Sequence, residues 1–298
     1  MVHPLITWDA ELPAGLHDPI LVVSMDGWID AGFGGATAIG NLKLQIRTHR
    51  LVTFDTDELI DQRARRPRMR LIDGVNTGLT WPRLQLRHGR DLAGQDLLIL
   101  SGPEPDFRWN RFTDAVIEVA TQLGVRMSIG LGAFPAPYPH TRPVFLSSTA
   151  TTPELAAQIG HLKGGFEVPA GAAAALERAL AAADIPAVGV WARVPHYVAT
   201  MPYPAAAAAL LDALARLTGL VVDTTELRQA AVNAHSQIEA LIANNPEHLN
   251  MVRQLEAQID AGDDHVAGTG GSVPTVDRAD LPSGDELAAE LEKFLRDQ

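Results

Sequence analysis

Asp96-Leu97-Leu98-Ile99-Leu100 is a near-continuous apolar run of strand length, with residues 112–123 and 125–131 following it. A strand with no polar alternation is one covered on both faces, as in the centre of a parallel sheet. In the next segment Phe112, Val116, Val119 and Leu123 recur at helical spacing, which predicts an amphipathic helix. Residues 125–131 then read as another strand. Strand, crossover helix and strand make one βαβ unit, so the sheet is mostly parallel with helices on both faces.

The same alternation extends in both directions. Ile20-Leu21-Val22-Val23-Ser24 ends at the turn signal Asp26-Gly27 and leads into a helix over 36–47. Strands are expected at 51–54, 69–72, 79–86 and 188–194, and helices at 153–162, 169–183 and 204–217, the last closed by Gly219. Residues 73–78 read as a turn-rich connection, and Pro82 makes 79–86 an edge strand or breaks it. The 69–86 hairpin is therefore an insertion or an antiparallel edge.

After Val222 the pattern changes. Leu227, Ala231, Ala234, Ile238 and Leu241 step by four and three, an a/d seam. Asn245 caps a second helix with Pro246 at its first position, and Leu249, Val252, Leu255 and Ile259 continue the stripe. The expected organisation is an α/β core over 1–222, a helical hairpin over 223–261 and a flexible linker over 262–280. An amphipathic C-terminal helix over 281–298 completes it. The hairpin either packs as structure or serves as a partner-binding arm.

Bulk properties narrow the function. The 298 residues are 46% hydrophobic, carry a net charge of −12 and include no cysteine. Mean hydropathy is near zero. Thiol catalysis, disulfides and Cys-bound zinc are excluded, and a cytoplasmic setting is expected. The acidic balance argues against nucleic acid and membrane as partners. No apolar run approaches the ~20 residues of a span, and residues 1–18 lack a signal-peptide core. The exception to the acidity is Arg63, Arg65, Arg66, Arg68 and Arg70, either a solvated loop or a surface for an acidic partner. Lysines number three, Lys43, Lys163 and Lys293, so phosphate-gripping lysines are scarce. No dinucleotide fingerprint, phosphate-binding P-loop, zinc-protease or serine-hydrolase motif is present. No metal and no cofactor are expected.

Candidate residues sit where strands end, the favoured ligand position of open α/β sheets. They are Asp26, Trp28 and Asp30; Glu104, Arg108 and Trp109; His140 and Arg142; and His196 and Tyr197. Each has two readings. Asp30 caps a helix, or its neighbouring glycines hold an anion. Glu104 pairs with Arg108, or acts as a general base if burial raises its pKa. His140 and Arg142 hold loops together, or stabilise an anion, with His196-Tyr197 adding a proton donor. A parallel sheet gathers all four loops at one edge as a candidate cleft.

The ordered strings Asp26-Gly27-Trp28-Ile29-Asp30-Ala31, Gly102-Pro103-Glu104-Pro105 with Arg108-Trp109, Pro139-His140-Thr141-Arg142-Pro143 and Val194-Pro195-His196-Tyr197 resemble the actinobacterial branch of the PAC2 (proteasome assembly chaperone 2) family. So does Leu281-Pro282-Ser283-Gly284-Asp285 near the end. The resemblance implies a three-layer α/β/α fold of purine nucleoside phosphorylase type and a homo-oligomer, with a trimer favoured. It implies a chaperone-like binding protein with proteasome subunits as partners and no demonstrated catalysis. The alternative is an enzyme or small-ligand binder of phosphorylase/hydrolase-like or carboxylate-amine ligase type, using the strand-end cleft. Chaperone members often finish with a hydrophobic-Tyr-X tail; this chain ends Phe294-Leu295-Arg296-Asp297-Gln298, a departure from that pattern.

Overall fold

A computed structural model describes residues 3–261 apart from 14, 28 and 166. Trp28, the linker over 262–280 and the helix over 281–298 lie outside the described residues.

The chain runs β1 (Ile6–Trp8), β2 (Ile20–Asp26), a 3-10 turn (Ala31–Phe33), α1 (Gly34–Gln45), β3 (His49–Phe54) and α2 (Thr56–Leu59). Then come β4 (Arg68–Ile72), β5 (Val75–Thr80), β6 (Gln85–Arg90), β7 (Asp96–Pro103) and α3 (Trp109–Gln122). They are followed by β8 (Met127–Ala136), β9 (Leu146–Ala150), α4 (Pro153–Ile159), α5 (Ala172–Ala182) and β10 (Ala187–Pro195). A second 3-10 turn (His196–Val198), α6 (Pro204–Thr218), α7 (Thr225–Ala243) and α8 (Pro246–Asp260) complete the described chain.

Among the described residues eight strands form one sheet in the order β1-β3-β6-β7-β2-β8-β10-β9. The central β7, β2, β8 and β10 are mutually parallel, and the antiparallel pairings are confined to the two flanks. Alternation along the central strands divides the core. Ile20 and Val22, Leu97 and Ile99, and Val188 and Val190 meet α1 and α6. Leu21 and Val23 with Leu98 and Leu100 face the other way, toward Phe112 and Val116 of α3 and Leu176 and Leu180 of α5. Each such side chain contributes about 1.5–3 kcal/mol through burial. Helices thus cover both faces, giving the three-layer α/β/α arrangement.

The α7–α8 hairpin adds an outer layer over α6. Leu227, Ile238, Ile242 and Val252 join the same core as α1 and α6. The stripe ends on Ile242, 5% exposed, rather than Leu241, 60% exposed. A strict seven-residue repeat persists only where helices supercoil; an ordinary helix drifts, so the buried stripe slips by one residue. Asn245 accepts from the backbone N–H groups of Glu247 and His248, with Pro246 opening α8. No helix among the described residues is long and apolar enough to cross a membrane.

Several element limits shift. The expected strand over 79–86 breaks at Pro82, leaving Leu79 and Thr80 in β5 and opening β6 at Gln85. The turn over 73–78 is only Asp73-Gly74, both at positive φ, and Val75 onward pairs with β4. The helix expected from Pro169 starts at Ala172, and α4 stops before Gly160, whose φ of 100° ends it. β1 and β9 were not expected; both are short edge strands.

Gly102, at the end of β7, has φ +139° and lies where a Cβ would collide with the backbone of Arg83 and Leu84. Gly40, exposed in α1, has nothing near its missing Cβ. Gly102→Ala is therefore expected to destabilise by more than about 1 kcal/mol, while Gly40→Ala stabilises by about 0.5–1 kcal/mol. Urea unfolding of the two variants checks the opposite signs.

Candidate functional site

The parallel centre places the C-terminal ends of β2, β7, β8 and β10 along one edge, with Asp26 opposite Pro103 and Pro195 opposite Ala136. Most of the described candidate side chains there have a partner of their own, and these partners divide the edge into separate regions.

At the ends of β2 and β7, Glu104 N–H donates to the Asp26 carbonyl at 2.7 Å. Arg65 donates to that same carbonyl at 3.2 Å and pairs with Asp106 at 3.2 Å. The guanidinium lies against Gly27, where a Cβ would stand 2.5 Å from it, so the glycine makes room for the arginine. Asp30 accepts from the Gly35 and Ala36 N–H groups at 2.7 and 2.9 Å and caps α1; burial nevertheless raises its carboxyl pKa. Arg108, at φ 59°, pairs with Glu58 at 2.5 Å. Trp109 donates its indole N–H to the Pro105 carbonyl at 2.6 Å. Glu104 reaches neither Arg108 nor solvent alone: its carboxylate accepts from the Ala172 N–H at 2.5 Å, at the start of α5.

A polar cavity of about 380 Å³ opens beside Asp26, lined by Ser24, Lys43, Arg83, Gln85 and Ser101. Lys43 Nζ donates to Ser101 Oγ at 2.6 Å. Burial lowers the Lys43 pKa, helped by Arg87 and opposed by Asp26. Burial raises that of Asp26, opposed by Lys43 and Arg65. Lys43 and Ser101 were missed in the sequence. The available signal was a lysine beside the apolar stripe that runs from Ile39 and Leu42 of α1 to Ile46 at its C-cap.

The ends of β8 and β10 are organised differently. His140 is 4% exposed. Its backbone N–H donates to the Tyr197 hydroxyl oxygen at 2.8 Å, its Nδ1 lies 2.7 Å from the same oxygen, and its Nε2 lies 2.9 Å from Glu239 Oε1 of α7. Because the hydroxyl accepts from the backbone, its own proton is free to point at Nδ1. That places the imidazole proton on Nε2, donating to Glu239. Burial lowers the His140 pKa against the pull of Glu239, and burial pushes Tyr197 up to about 12, so both stay neutral near pH 7. Arg142 donates to Asp260 at 2.6 and 3.1 Å and to Glu256 at 3.2 Å, both on α8. His196 is exposed, with Nδ1 3.4 Å from the Ala136 carbonyl. His140, Tyr197 and Arg142 thus latch the β8 loop to the α7–α8 hairpin.

The edge therefore holds Asp26 at the polar cavity, Glu104 at a second, apolar cavity beside α5, and His140, Arg142 and Tyr197 under the hairpin. They do not line one common cleft. Among the described residues no cluster of three or more His, Asp or Glu side chains is arranged to hold a metal ion.

Truncating the latch has a defined cost. His140→Ala strands the Tyr197 hydroxyl and Glu239 and is expected to lose about 1–3 kcal/mol. A folded-state pKa below the ordinary 6.5 means the unfolded chain binds more protons as pH falls. The stabilisation by His140 is therefore present above pH 6.5 and lost on acidification. The melting-temperature gap between the protein and His140→Ala should narrow from pH 7.5 to 5.5. Hydrogen exchange of the same variant should rise in α7 and α8 before it rises in the central strands.

The model of the PAC2 family matches residues 24–242, whereas no curated protein matches the chain. The Mycobacterium tuberculosis protein of unknown function Rv2714 is 34% identical, with a TM-score of 0.81, covering 88% of this chain and 90% of its own. The M. tuberculosis proteasome-assembly chaperone homologue Rv2125 is also 34% identical, with a TM-score of 0.74, covering 78% of this chain and 99% of its own. The archaeal proteasome activator PbaB of Pyrococcus furiosus, 15% identical with a TM-score of 0.62 over 81% of this chain and 99% of its own, shares the fold. With the family match spanning most of the α/β core and a third of positions identical to such relatives, the chain belongs to the PAC2 family.

Proposed function

We propose that this protein is a self-associating, chaperone-like binding protein whose partners include proteasome subunits. The observation that carries the reading is the β4–β5 arm. Its two strands pair only with each other as a separate two-stranded sheet, and every residue in them is exposed. Met69 lies opposite Leu79, with Leu71 on the same side, while Arg68 and Arg70 alternate to the other. Ile72 and Val75 pair at the tip, and Trp81 is exposed just beyond. An isolated two-stranded hairpin is marginal in water, and clustered exposed apolar groups mark interaction surfaces.

Charge favours a second copy of the chain as the arm's cover. From Gln62 through Arg83, both included, six arginines face one aspartate, whereas the whole chain is at −12. A basic, apolar arm therefore meets an acidic surface on a sister subunit, with a trimer as the assembly and a cytoplasmic setting as its place. The proteasome reading is supported by the relatives described as a proteasome-assembly chaperone homologue and a proteasome activator. It is supported further by the internal commitment of Asp30, Glu104, Arg108, His140 and Arg142 to structural partners. The α7–α8 hairpin, as an added outer layer, offers the client-facing surface.

A second reading, small-ligand binding at the strand ends, is favoured by one observation: the polar cavity where Lys43 meets Ser101. A thermal-shift screen with nucleosides, nucleotides and carboxylates, repeated on Lys43→Met, reads it out. A stabilising hit lost in that variant would favour it.

The principal reading is tested with Leu71→Ser combined with Leu79→Ser. Light scattering after gel filtration should show the protein at three chain masses and the variant at one, with an unchanged circular dichroism spectrum. Purified proteasome α-subunits should be retained by the immobilised protein. An unchanged mass in the variant rejects the arm as the self-association element, and no retention of any proteasome subunit rejects the partner.

A further inference from the structure

We infer that the apolar cavity between α5 and the sheet is a binding site for a hydrophobic amine: about 560 Å³ of glycine-floored, aromatic-walled space holding two carboxylates and, among the described residues, no cationic side chain. This inference stands apart from the protein-binding reading and uses none of the arm or hairpin residues.

The cavity exists because of what the sequence omits. On the α1–α6 side, β8 and β10 carry Ile129, Leu131, Val188 and Val190, all buried. On the opposite side the same strands present Gly130, Gly132 and Gly189 to the cavity. Without side chains there, space remains between this part of the sheet and α5, although Leu176 and Leu180 still pack against β2 and β7. Interiors normally hold few voids larger than a water molecule, whereas sites for small organic ligands run roughly 300–1,000 Å³.

The floor is shaped rather than merely empty. The Trp191 ring lies over Gly132, where a Cβ would stand 2.5 Å from it. At Gly189 a Cβ would stand 2.5 Å from Thr149 Oγ1 and 3.0 Å from both Glu177 Oε2 and Trp191 Nε1. The glycine therefore lets the Glu177 carboxyl and the indole approach the same point of the strand. Val23, Phe134, Leu176 and Leu180 supply apolar walls.

Charge sets the ligand class. Glu177 accepts from Thr149 Oγ1 at 2.7 Å and from the Gly189 N–H. A carboxylate has about four acceptor sites, so capacity remains toward the cavity. Burial raises the Glu177 pKa, opposed by those two bonds; a ligand cation beside it restores the ionised form. Glu104 adds a second carboxylate at the rim, and among the described residues no Lys, Arg or His lines the space. An anion entering meets two acids in an apolar setting. A cation meets two acids and the face of Trp191, which attracts positive charge through its π system. A flat apolar body bearing one ammonium group satisfies walls, floor and charge together.

The test uses the full chain and three probes that share an indole ring: tryptamine, tryptophol and indole-3-acetate. Calorimetric titration at pH 7.5 should rank them in that order, with at least tenfold between the first and last. Glu177→Gln should bring tryptamine to the level of tryptophol while leaving tryptophol unchanged. Gly130 has only ordinary contacts around its missing Cβ, the nearest at 3.5 Å. Gly130→Val should therefore fill the floor and abolish binding of all three, with the melting temperature retained. Indole-3-acetate binding as tightly as tryptamine, no binding by any probe, or binding unaffected by Gly130→Val would each overturn the inference.

Discussion

Burial of the central strands on both faces is the constraint from which the rest of the molecule follows. Ile20 to Val23 and Leu97 to Leu100 are almost wholly inaccessible, so those strands have no surface on which to display polar groups. Polar chemistry is forced to the strand ends. The close fit of the helices has the same origin. Gly34, at the start of α1, sits where a Cβ would stand 2.9 Å from Ala133 and 3.1 Å from Ala206. α1 and α6 therefore press against β8 with small residues at the contact.

What happens at the edge depends on which neighbour reaches it first. At β2 and β7 the neighbours are Arg65 and Asp106 on one side and Lys43 on the other, which leaves a small polar cavity. At β8 and β10 the neighbour is the α7–α8 hairpin, and its acids consume His140 and Arg142. On the α5 side the glycines of β8 and β10 supply no side chains to fill the gap beneath the helix and so leave apolar space. One edge of one sheet thus carries three different environments, because three different segments close over it.

The parallel centre was legible because a run such as Leu97 to Leu100 admits few other readings, and the α3 stripe was legible because its apolar residues are regularly spaced. β1 and β9 were not: an edge strand of three or five residues carries little pattern, and Ser147, Ser148 and Thr149 read as loop. β5 was hidden by Asn76, Thr77 and Gly78, turn residues that pair with β4. The strand-end residues could be picked out from the sequence, but their division could not. His140 and Glu239 are 99 positions apart, and Arg142 and Asp260 are 118 apart, so only packing brings them together. Glu177 escaped notice because one acid in an alanine-rich helix looks like a solvated face. Its inward setting depends on glycines in two other strands.

The β4–β5 arm shares no ladder hydrogen bond with the main sheet, since its strands form a sheet of their own. Changes in its length, charge or apolar content leave the pairing of the eight core strands alone. Selection can therefore rewrite this exposed arm while the folded body beneath remains constant, which makes it the segment along which descendants of one ancestral chain can part company at little structural cost.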